Sequence, residues 1–161
     1  MPVRLDKTDI EILKILQKNG RITNAELAKK AGISPPPMLE RVRKLEKNGV
    51  IRKYVALVDP SSIGIETFTF VEVTLSRHGK DAVKEFIDAA TKIEELLEFY
   101  HITGDADFLF KIAVPSISAY ERLIINKLIE LPHILHLKTM VVLKTYKSET
   151  SFNIVEGGDD K

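Results

Sequence analysis

The sequence predicts an α+β protein in which a winged helix-turn-helix is followed by a ferredoxin-like βαββαβ domain. Helix-periodic apolar residues with capping signals fill the first third, and strand-like segments become frequent after it. Residues 1–59 carry 13 Lys/Arg and 7 Asp/Glu, a net charge of +6, whereas residues 60–161 carry 11 and 16, a net charge of −5. This asymmetry indicates that the first part of the chain binds a polyanion.

The composition excludes several classes of protein. The chain of 161 residues has no cysteine, which excludes disulfides, thiolate catalysis and cysteine-ligated zinc. It has no apolar run of about 18 residues, so we expect no membrane span. The N-terminus lacks the uninterrupted apolar core of a signal peptide. We therefore expect a cytoplasmic protein.

The first part is predicted to contain three helices. A first helix covers roughly residues 6–19, with Asp6 or Thr8 as its cap. Thr23 precedes Glu26 by three residues, the spacing of a capping box, and opens a short helix that ends at Ala31-Gly32. A third helix runs from about residue 35 to residue 48.

A β-rich stretch and a turn cluster mark the end of the first part. The stretch "VIRKYVALVD", residues 50–59, is rich in β-branched residues and predicts a strand pair or wing. Asp59-Pro60-Ser61-Ser62 and Gly64 are turn residues. We therefore expect a first domain over residues 1–59, a linker over 60–65, a second domain over 66–150, and a tail over 151–161.

The second part alternates strands and helices in the order β-α-β-β-α-β, which is that of two split βαβ halves. The predicted strands are Thr67–Leu75, Leu96–Thr103, Phe108–Val114 and Leu135–Tyr146, and the predicted helices are Lys80–Ile93 and Ser116–Leu131.

Both faces of the predicted sheet carry apolar residues. In the first strand, Phe68 and Phe70 lie on one face, and Val71 and Val73 lie on the other. Two helices cover only one face of a four-stranded sheet, so the second face needs a partner. We expect a homo-oligomer. The alternative is that the first part or the tail covers this face within the same chain.

The segment "GISPPPMLERVRKL", residues 32–45, joins the second and third helices as a helix-turn-helix, whose second helix enters a major groove. Met38, Val42 and Leu45 share its inner face. The three prolines fit positions N1, N2 and N3 of a helix that begins at Pro35, but because a residue before proline is disfavoured in the α region, the alternative is a start at Pro36 or Pro37. Prolines also remove the amides that a cap or a phosphate would use, so side chains must contact the DNA. The alternative, a proline-rich ligand of another domain, fits poorly because Met38 leads directly into a packed helix.

The sequence resembles the Lrp/AsnC family of transcriptional regulators, and is closest to the leucine-responsive type. The resemblance rests on "DIEILKILQKNGRITNAELAKKAGISPPPMLERVRKLEKNGVI" followed by "GDADFLFKI", and it covers about residues 4–150. The family more often has Ser or Thr at position 36, so a hydroxyl contact from that position is missing here. With the family's helix-turn-helix lying over residues 24–43, the candidate contacts to double-stranded DNA are Asn24, Ser34, Pro36, Pro37, Met38, Arg41, Arg43 and Lys44.

The resemblance further implies a dimer through the second-part sheets, higher assemblies such as octamers, and an amino-acid effector bound between dimers. In "HITGDADFLF", residues 101–110, a glycine turn exposes backbone amides for a carboxylate, and Asp105 or Asp107 accepts from an ammonium group. From the residues alone, this segment is more simply a hairpin turn. The candidate effector residues are Thr103, Gly104, Asp105, Asp107 and, from the family position alone, Thr139. We expect no metal or organic cofactor.

Two other classes of function were considered. His133 and His136, with the Asp105/Asp107 pair, could indicate a metalloenzyme, but a turn and a strand start need not bring the histidines together, and no phosphate loop or nucleophile elbow is present. We therefore expect no enzyme. The second class, an architectural and sequence-tolerant DNA-binding protein, would also fit the basic first part.

Overall fold

The computed structural model describes residues 4–155 of the chain and divides into two compact units. The first unit contains the chain up to Leu57 together with the segment from Lys147 onwards, and the second unit contains Val58–Tyr146. Within the described residues, no helix is both long and apolar enough to cross a membrane. The domain boundaries drawn from the sequence stay predictions.

The first unit contains three helices, α1 (Lys7–Lys18), α2 (Asn24–Ala31) and α3 (Pro35–Lys47). Asp6 caps α1 by accepting from the Asp9 amide, and the Asp9 carboxylate accepts from the Asp6 amide in return. Thr23 and Glu26 form the predicted capping box at the start of α2. Each box satisfies two amides that a helix start otherwise leaves unpaired.

The core of the first unit is a cluster of side chains from all three helices. Ile12 and Leu13 of α1, Leu27 of α2, and Met38 and Leu45 of α3 are buried in it. Their spacing places them on one face of each helix, as the periodicity predicted. This cluster fixes α3 against the other two helices, and so determines which face of α3 remains exposed.

The predicted strand pair over residues 50–59 is not formed. Residues 53–59 have no regular secondary structure. Val55, Leu57 and Val58 are exposed. Strands need a hydrogen-bonded neighbour, and within residues 4–155 this segment has none. Its β-branched residues therefore favour an extended backbone, but they do not form a strand because they have no partner strand within residues 4–155.

Tyr54 attaches the start of this segment to the rest of the first unit. Its hydroxyl donates to Glu46 Oε1 of α3 at 3.0 Å. Partial burial of the ring and the bond to the Glu46 carboxylate raise the pKa of Tyr54 to about 12. Both effects favour the neutral phenol over the phenolate.

We expect Tyr54 to titrate well above the ordinary pKa of tyrosine, and the stability that it contributes to depend on pH accordingly. Because the pKa is raised on folding, the contribution of the neutral phenol is fully present below the ordinary value of 10 and is lost as pH rises through about 12. The check is a titration of phenolate absorbance for the parent and for Tyr54→Phe. A difference curve with its midpoint at 10 would contradict the assigned contact.

The end of the described chain also belongs to the first unit. Residues 147–155 have no regular secondary structure, yet Phe152 hydrogen-bonds to Gln17 of α1. Ile154 packs against the core cluster of the three helices. The sequence assigned residues 151–161 to a separate tail; within the described part of that range, residues 151, 152 and 154 contact the helices.

The second unit is a four-stranded antiparallel sheet with two helices. Its elements are β1 (Thr67–Leu75), α4 (Lys80–Ala90), β2 (Leu96–His101), β3 (Phe108–Val114), α5 (Ile117–Leu123, continued as a π-helical turn over Ile124–Leu128) and β4 (Ile134–Val141). The strand order is β2-β3-β1-β4. This is the predicted ferredoxin-like arrangement.

The last strand is shorter than predicted. It ends at Val141 instead of Tyr146, because β1 begins at Thr67 and the amide of Val142 forms a final bond to Phe68 at 2.9 Å. Beyond this point β4 has no neighbouring strand with which to pair. Leu143 and Tyr146 are consequently exposed.

One face of the sheet is covered by the two helices. The alternate residues of β1 and β3 are buried, and Phe86 of α4 stacks parallel to Phe110 at 6.0 Å between ring centroids. Tyr120 and Leu128 complete the layer from α5 and its π-helical turn. Buried aromatic rings of this size contribute much of the apolar area of such a core.

The other face of the sheet carries no helix of the second unit. Phe68 and Phe70 are half-buried there, and Met140 is exposed. Two ion pairs lie on the same face: Lys111 Nζ is 2.7 Å from Glu98 Oε1, and Lys138 Nζ is 3.1 Å from Glu72 Oε2. An apolar surface framed by paired charges is typical of a protein interface.

Candidate functional site

The turn between α2 and α3 is fixed by a glycine in the left-handed region. Gly32 has φ +70°, and the Ile33 amide donates to the Ala28 carbonyl at 3.1 Å. An L-residue with a side chain is disfavoured at this φ, which explains why glycine ends α2. The chain then reverses into α3 within three residues.

Helix α3 begins at Pro35, the earlier of the starts that the sequence left open. Ser34 is its N-cap in extended conformation, and its hydroxyl makes no cap hydrogen bond. The first helical amide is that of Met38, which donates to the Ser34 carbonyl at 3.3 Å. Three prolines therefore occupy positions whose amides would be unpaired in any helix, and the burial of Met38 outweighs the disfavoured α conformation before proline.

Five of the predicted DNA contacts lie on the exposed surface of α3 and its N-cap. They are Ser34, Pro36, Pro37, Arg43 and Lys44. The Arg43 side chain is 63% exposed, and its guanidinium lies 3.2 Å from Glu40. An exposed ion pair of this kind contributes little to stability, so Arg43 is available to another anion.

Arg41 makes ion pairs within the first unit, and its predicted DNA contact stays a prediction. Its guanidinium donates to Asp6 Oδ2 at 2.6 Å and to Asp9 Oδ1 at 2.8 Å, across the start of α1. The pKa of Asp6 is lowered by the bond from the Asp9 amide and then by Arg41, while the pKa of Arg41 is raised by Asp6 and Asp9. Arg41 therefore holds α3 against α1 and has its charge neutralised within the unit.

Two further predicted contacts have structural roles. Met38 is 0% exposed in the helix core, so it has no surface with which to contact a thymine methyl. The side-chain amide of Asn24 donates to the Pro35 carbonyl at 3.0 Å. This bond joins the first turn of α2 to the first turn of α3, so Asn24 positions the recognition helix.

We expect Arg41→Ala to destabilise the first unit by about 1–2 kcal/mol, because it leaves the Asp9 carboxylate, only 12% exposed, without its cation. Arg43→Ala is the matched control and should change stability by less than about 0.5 kcal/mol. Hydrogen exchange of the α1 amides measures both. Equal exchange in the two variants would contradict this assignment.

The same ion pair should make stability depend on pH. The contribution of Asp6, whose pKa is lowered below 3.8, should persist above that pH and disappear as pH falls through the lowered pKa.

The predicted effector turn lies between β2 and β3. The Ile102 amide donates to the Asp107 carbonyl at 2.9 Å and closes the turn. Gly104 has φ +124°, a value that favours glycine, and Thr103, Gly104 and Asp105 are exposed. The amides of residues 103–105 donate to no group in the described chain. They are therefore available to an anionic ligand.

The two carboxylates of this turn have different environments. Asp107 accepts from the Leu75 amide at 2.8 Å and lies 3.1 Å from His78 Nε2, so it ties the end of β1 to the turn. Asp105, in contrast, is exposed, and its carboxylate has no partner within residues 4–155. The sequence left open which of the two accepts a ligand's ammonium group; the geometry favours Asp105.

Thr139 lies away from this turn. It pairs with Val71 on the helix-covered side of the sheet, and its hydroxyl lies 2.6 Å from the Tyr120 hydroxyl. Leu75, which bonds Asp107, is four residues further along β1, or about 13 Å at 3.3 Å per residue. Within one chain, Thr139 and the turn do not form one site.

The two histidines considered as metal ligands point to different partners. His133 Nε2 lies 2.8 Å from Glu85, whereas His136 stands on β4 opposite Thr74. No group of three or more metal-ligating side chains occurs among residues 4–155. The pair therefore has no converging third ligand in the described chain.

Comparison with known families matches two parts of the chain to separate models. Residues 5–52 match a winged helix-turn-helix DNA-binding model, and residues 69–152 match the Lrp/AsnC ligand binding domain.

Individual relatives cover most of the chain. The leucine-responsive regulatory protein of Escherichia coli (strain K12) is 44% identical over 143 residues, which are 89% of this chain and 87% of that protein. A transcriptional regulator of Neisseria meningitidis, solved as a complex with L-Met, is 36% identical with a TM-score of 0.88, covering 92% and 96% of the two chains. AsnC of E. coli is 29% identical with a TM-score of 0.84, covering 91% and 97%.

Proposed function

Because this chain belongs to the Lrp/AsnC family of transcriptional regulators, we propose that α3 reads specific DNA sites and that a free amino acid bound by the second unit alters this binding. The chain combines a winged helix-turn-helix with a ligand-binding domain. The observation that carries the proposal is that α3 has an exposed basic face and that the turn at residues 103–105 has amides and a carboxylate without a partner in the described chain.

DNA recognition rests on side chains at the exposed face of α3. Arg43 reaches outward as a bidentate donor for a guanine edge or a phosphate, and Lys44 supplies a second cation. The Ser34 hydroxyl has no cap bond to break and is free to bind a phosphate. Pro36 and Pro37 present apolar rings at the same end of the helix, where a thymine methyl fits.

Amino-acid binding rests on the turn at residues 103–105. A free amino acid carries a carboxylate and an ammonium group, and the turn offers amide donors for the first and Asp105 for the second. The Neisseria relative was solved with L-Met, which supports an amino acid as the ligand class. Thr139 contacts the ligand only where it is brought to the turn of another copy of the chain.

Self-association follows from the exposed apolar surfaces. The sheet face with Phe68, Phe70 and Met140 and the unpaired segment with Val55 and Leu57 both need a covering partner. A second copy supplies the same surfaces in a two-fold arrangement. We therefore propose a homodimer that assembles further, for example to an octamer, and acts in the cytoplasm as a regulator without catalytic activity.

Binding to a palindromic site and to random duplex across a salt series tests the DNA function. We expect the palindrome to bind at least about 10³-fold more tightly, since specific regulators exceed their non-specific affinity by that factor or more. A ratio near one at every salt concentration would instead favour the architectural alternative.

A thermal-shift panel of the twenty standard amino acids, combined with light scattering, tests the effector function. We expect one or a few amino acids to raise the melting temperature and to change the assembly or the DNA affinity. If none changes the melting temperature, the assembly or the DNA affinity, an amino-acid effector is excluded.

A further inference from the structure

We propose that Lys147–Val155 forms a strap, here called the C-terminal strap, that completes the DNA-binding unit and transmits the ligand state of the second unit to it. The inference rests on the proposed function and adds the route by which the effector acts. It is drawn from hydrogen bonds, packing and connectivity within the first unit.

The strap is held by the side chain of a single glutamine. Gln17 Nε2 donates to the Phe152 carbonyl at 3.1 Å, and Gln17 Oε1 accepts from the Phe152 amide at 2.7 Å. The Ser151 hydroxyl donates to the Gln17 carbonyl at 3.4 Å. The glutamine amide thus pairs with both backbone groups of one residue, as a neighbouring strand would.

Apolar packing adds a second contact. Ile154 is half-buried against the helix core of the first unit, while Asn153 and Val155 on either side of it are exposed. The strap therefore contacts α1 through Ser151 and the Phe152 backbone, and the helix core through Ile154. Sequence reasoning missed this contact because it joins residues 135 positions apart.

The strap continues covalently from the second unit, so its contact with α1 links the ligand-binding unit to the DNA-binding unit. The chain enters the second unit at Val58 and leaves it after Tyr146, so the strap is a second covalent connection beyond β4. Asp107 joins the proposed ligand turn to β1, and β1 pairs with β4, so a ligand that shifts this turn also shifts the strand from which the strap continues. The contact of three hydrogen bonds and one half-buried side chain is small enough to open locally.

The test compares Ile154→Asp with Asn153→Asp in the full chain. Both add one carboxylate to the strap, but only the first places it against the helix core. Gln17→Ala provides an independent variant that removes both amide bonds. For each protein, DNA affinity is measured with and without each of the twenty standard amino acids, and hydrogen exchange is measured in α1.

We expect the parent and Asn153→Asp to show the same effector-dependent ratio of DNA affinities, roughly 5–150-fold as is typical of allosteric coupling. Ile154→Asp and Gln17→Ala should bring this ratio close to one and speed exchange in α1, while the affinity for the amino acid itself is kept. The strap is overturned if Ile154→Asp matches Asn153→Asp in both measurements.

Failure of the proposed function is distinguishable from failure of the strap. If no amino acid changes DNA binding by the parent, the proposed effector function is wrong, and so is the proposed transmission through the strap. Exchange in α1 then still decides whether the strap completes the first unit. If the parent responds and Ile154→Asp responds equally, the effector function stands and transmission through the strap is wrong.

Discussion

Arg43→Ala should weaken binding to a specific DNA site by roughly 5–150-fold, which is the 1–3 kcal/mol that a bidentate base contact contributes. The Arg43 side chain is 63% exposed and, within residues 4–155, its ion-pair partner is Glu40 at 3.2 Å, so its removal leaves the helix core intact. If Arg43 reads a base, specificity should relax at one position of the site. Electrophoretic or fluorescence titration with single-base variants of the site measures this.

Lys44→Ala separates base reading from phosphate binding. A lysine on a phosphate contributes to all sequences alike, so its loss should reduce affinity uniformly and lower the salt slope by about one. Arg122→Ala, which removes an exposed guanidinium from the second unit, is the matched control for charge. The recognition face is misassigned if Arg43→Ala and Lys44→Ala both bind DNA as the parent and Arg122→Ala do.

Asp105→Asn should weaken amino-acid binding about tenfold or more, because a hydrogen bond between charged groups contributes about 1.5–3 kcal/mol. The asparagine keeps the size of the side chain but loses the charge that attracts an ammonium group. Since Asp105 is exposed and unpaired within the described chain, folding of the second unit should not change. Calorimetric titration with the amino acid found in the panel gives the affinity.

Asp107→Asn is the informative comparison for this result. Asp107 bonds the Leu75 amide and His78, so its substitution should lower the melting temperature in the absence of ligand. If Asp107→Asn loses ligand affinity with an unchanged melting temperature while Asp105→Asn binds normally, the roles of the two carboxylates are the reverse of those assigned.

The parts of the fold that depend on local sequence were predictable. The capping box at Thr23 and the glycine end of α2 are determined within a few residues and were predicted, and Asp6 was one of the two candidate caps of α1. The strands β1 and β3 match their predicted bounds because their alternation meets neighbours on both sides. The predicted strand pair over residues 50–59 is absent because this segment has no neighbouring strand among residues 4–155.

The parts that depend on distant residues were not predictable. Arg41 reads as one more cation on a basic helix, and only the fold brings it to Asp6 and Asp9, 32 or more residues earlier. Met38 fits both an inner face and a DNA contact until its burial decides between them. Asp105 and Asp107 look equivalent in the sequence, and the difference arises from the Leu75 amide and His78.

The three prolines at the start of α3 have a consequence for the unfolded chain. Each ring holds φ near the helical value, so the segment Pro35–Pro37 has fewer conformations to lose when the helix forms. Helix ends normally fray because their first turn gains too few bonds to offset that entropy. In this recognition helix, fraying should therefore be confined to the end near Asn48, and the end that carries Ser34 should keep one geometry before DNA arrives.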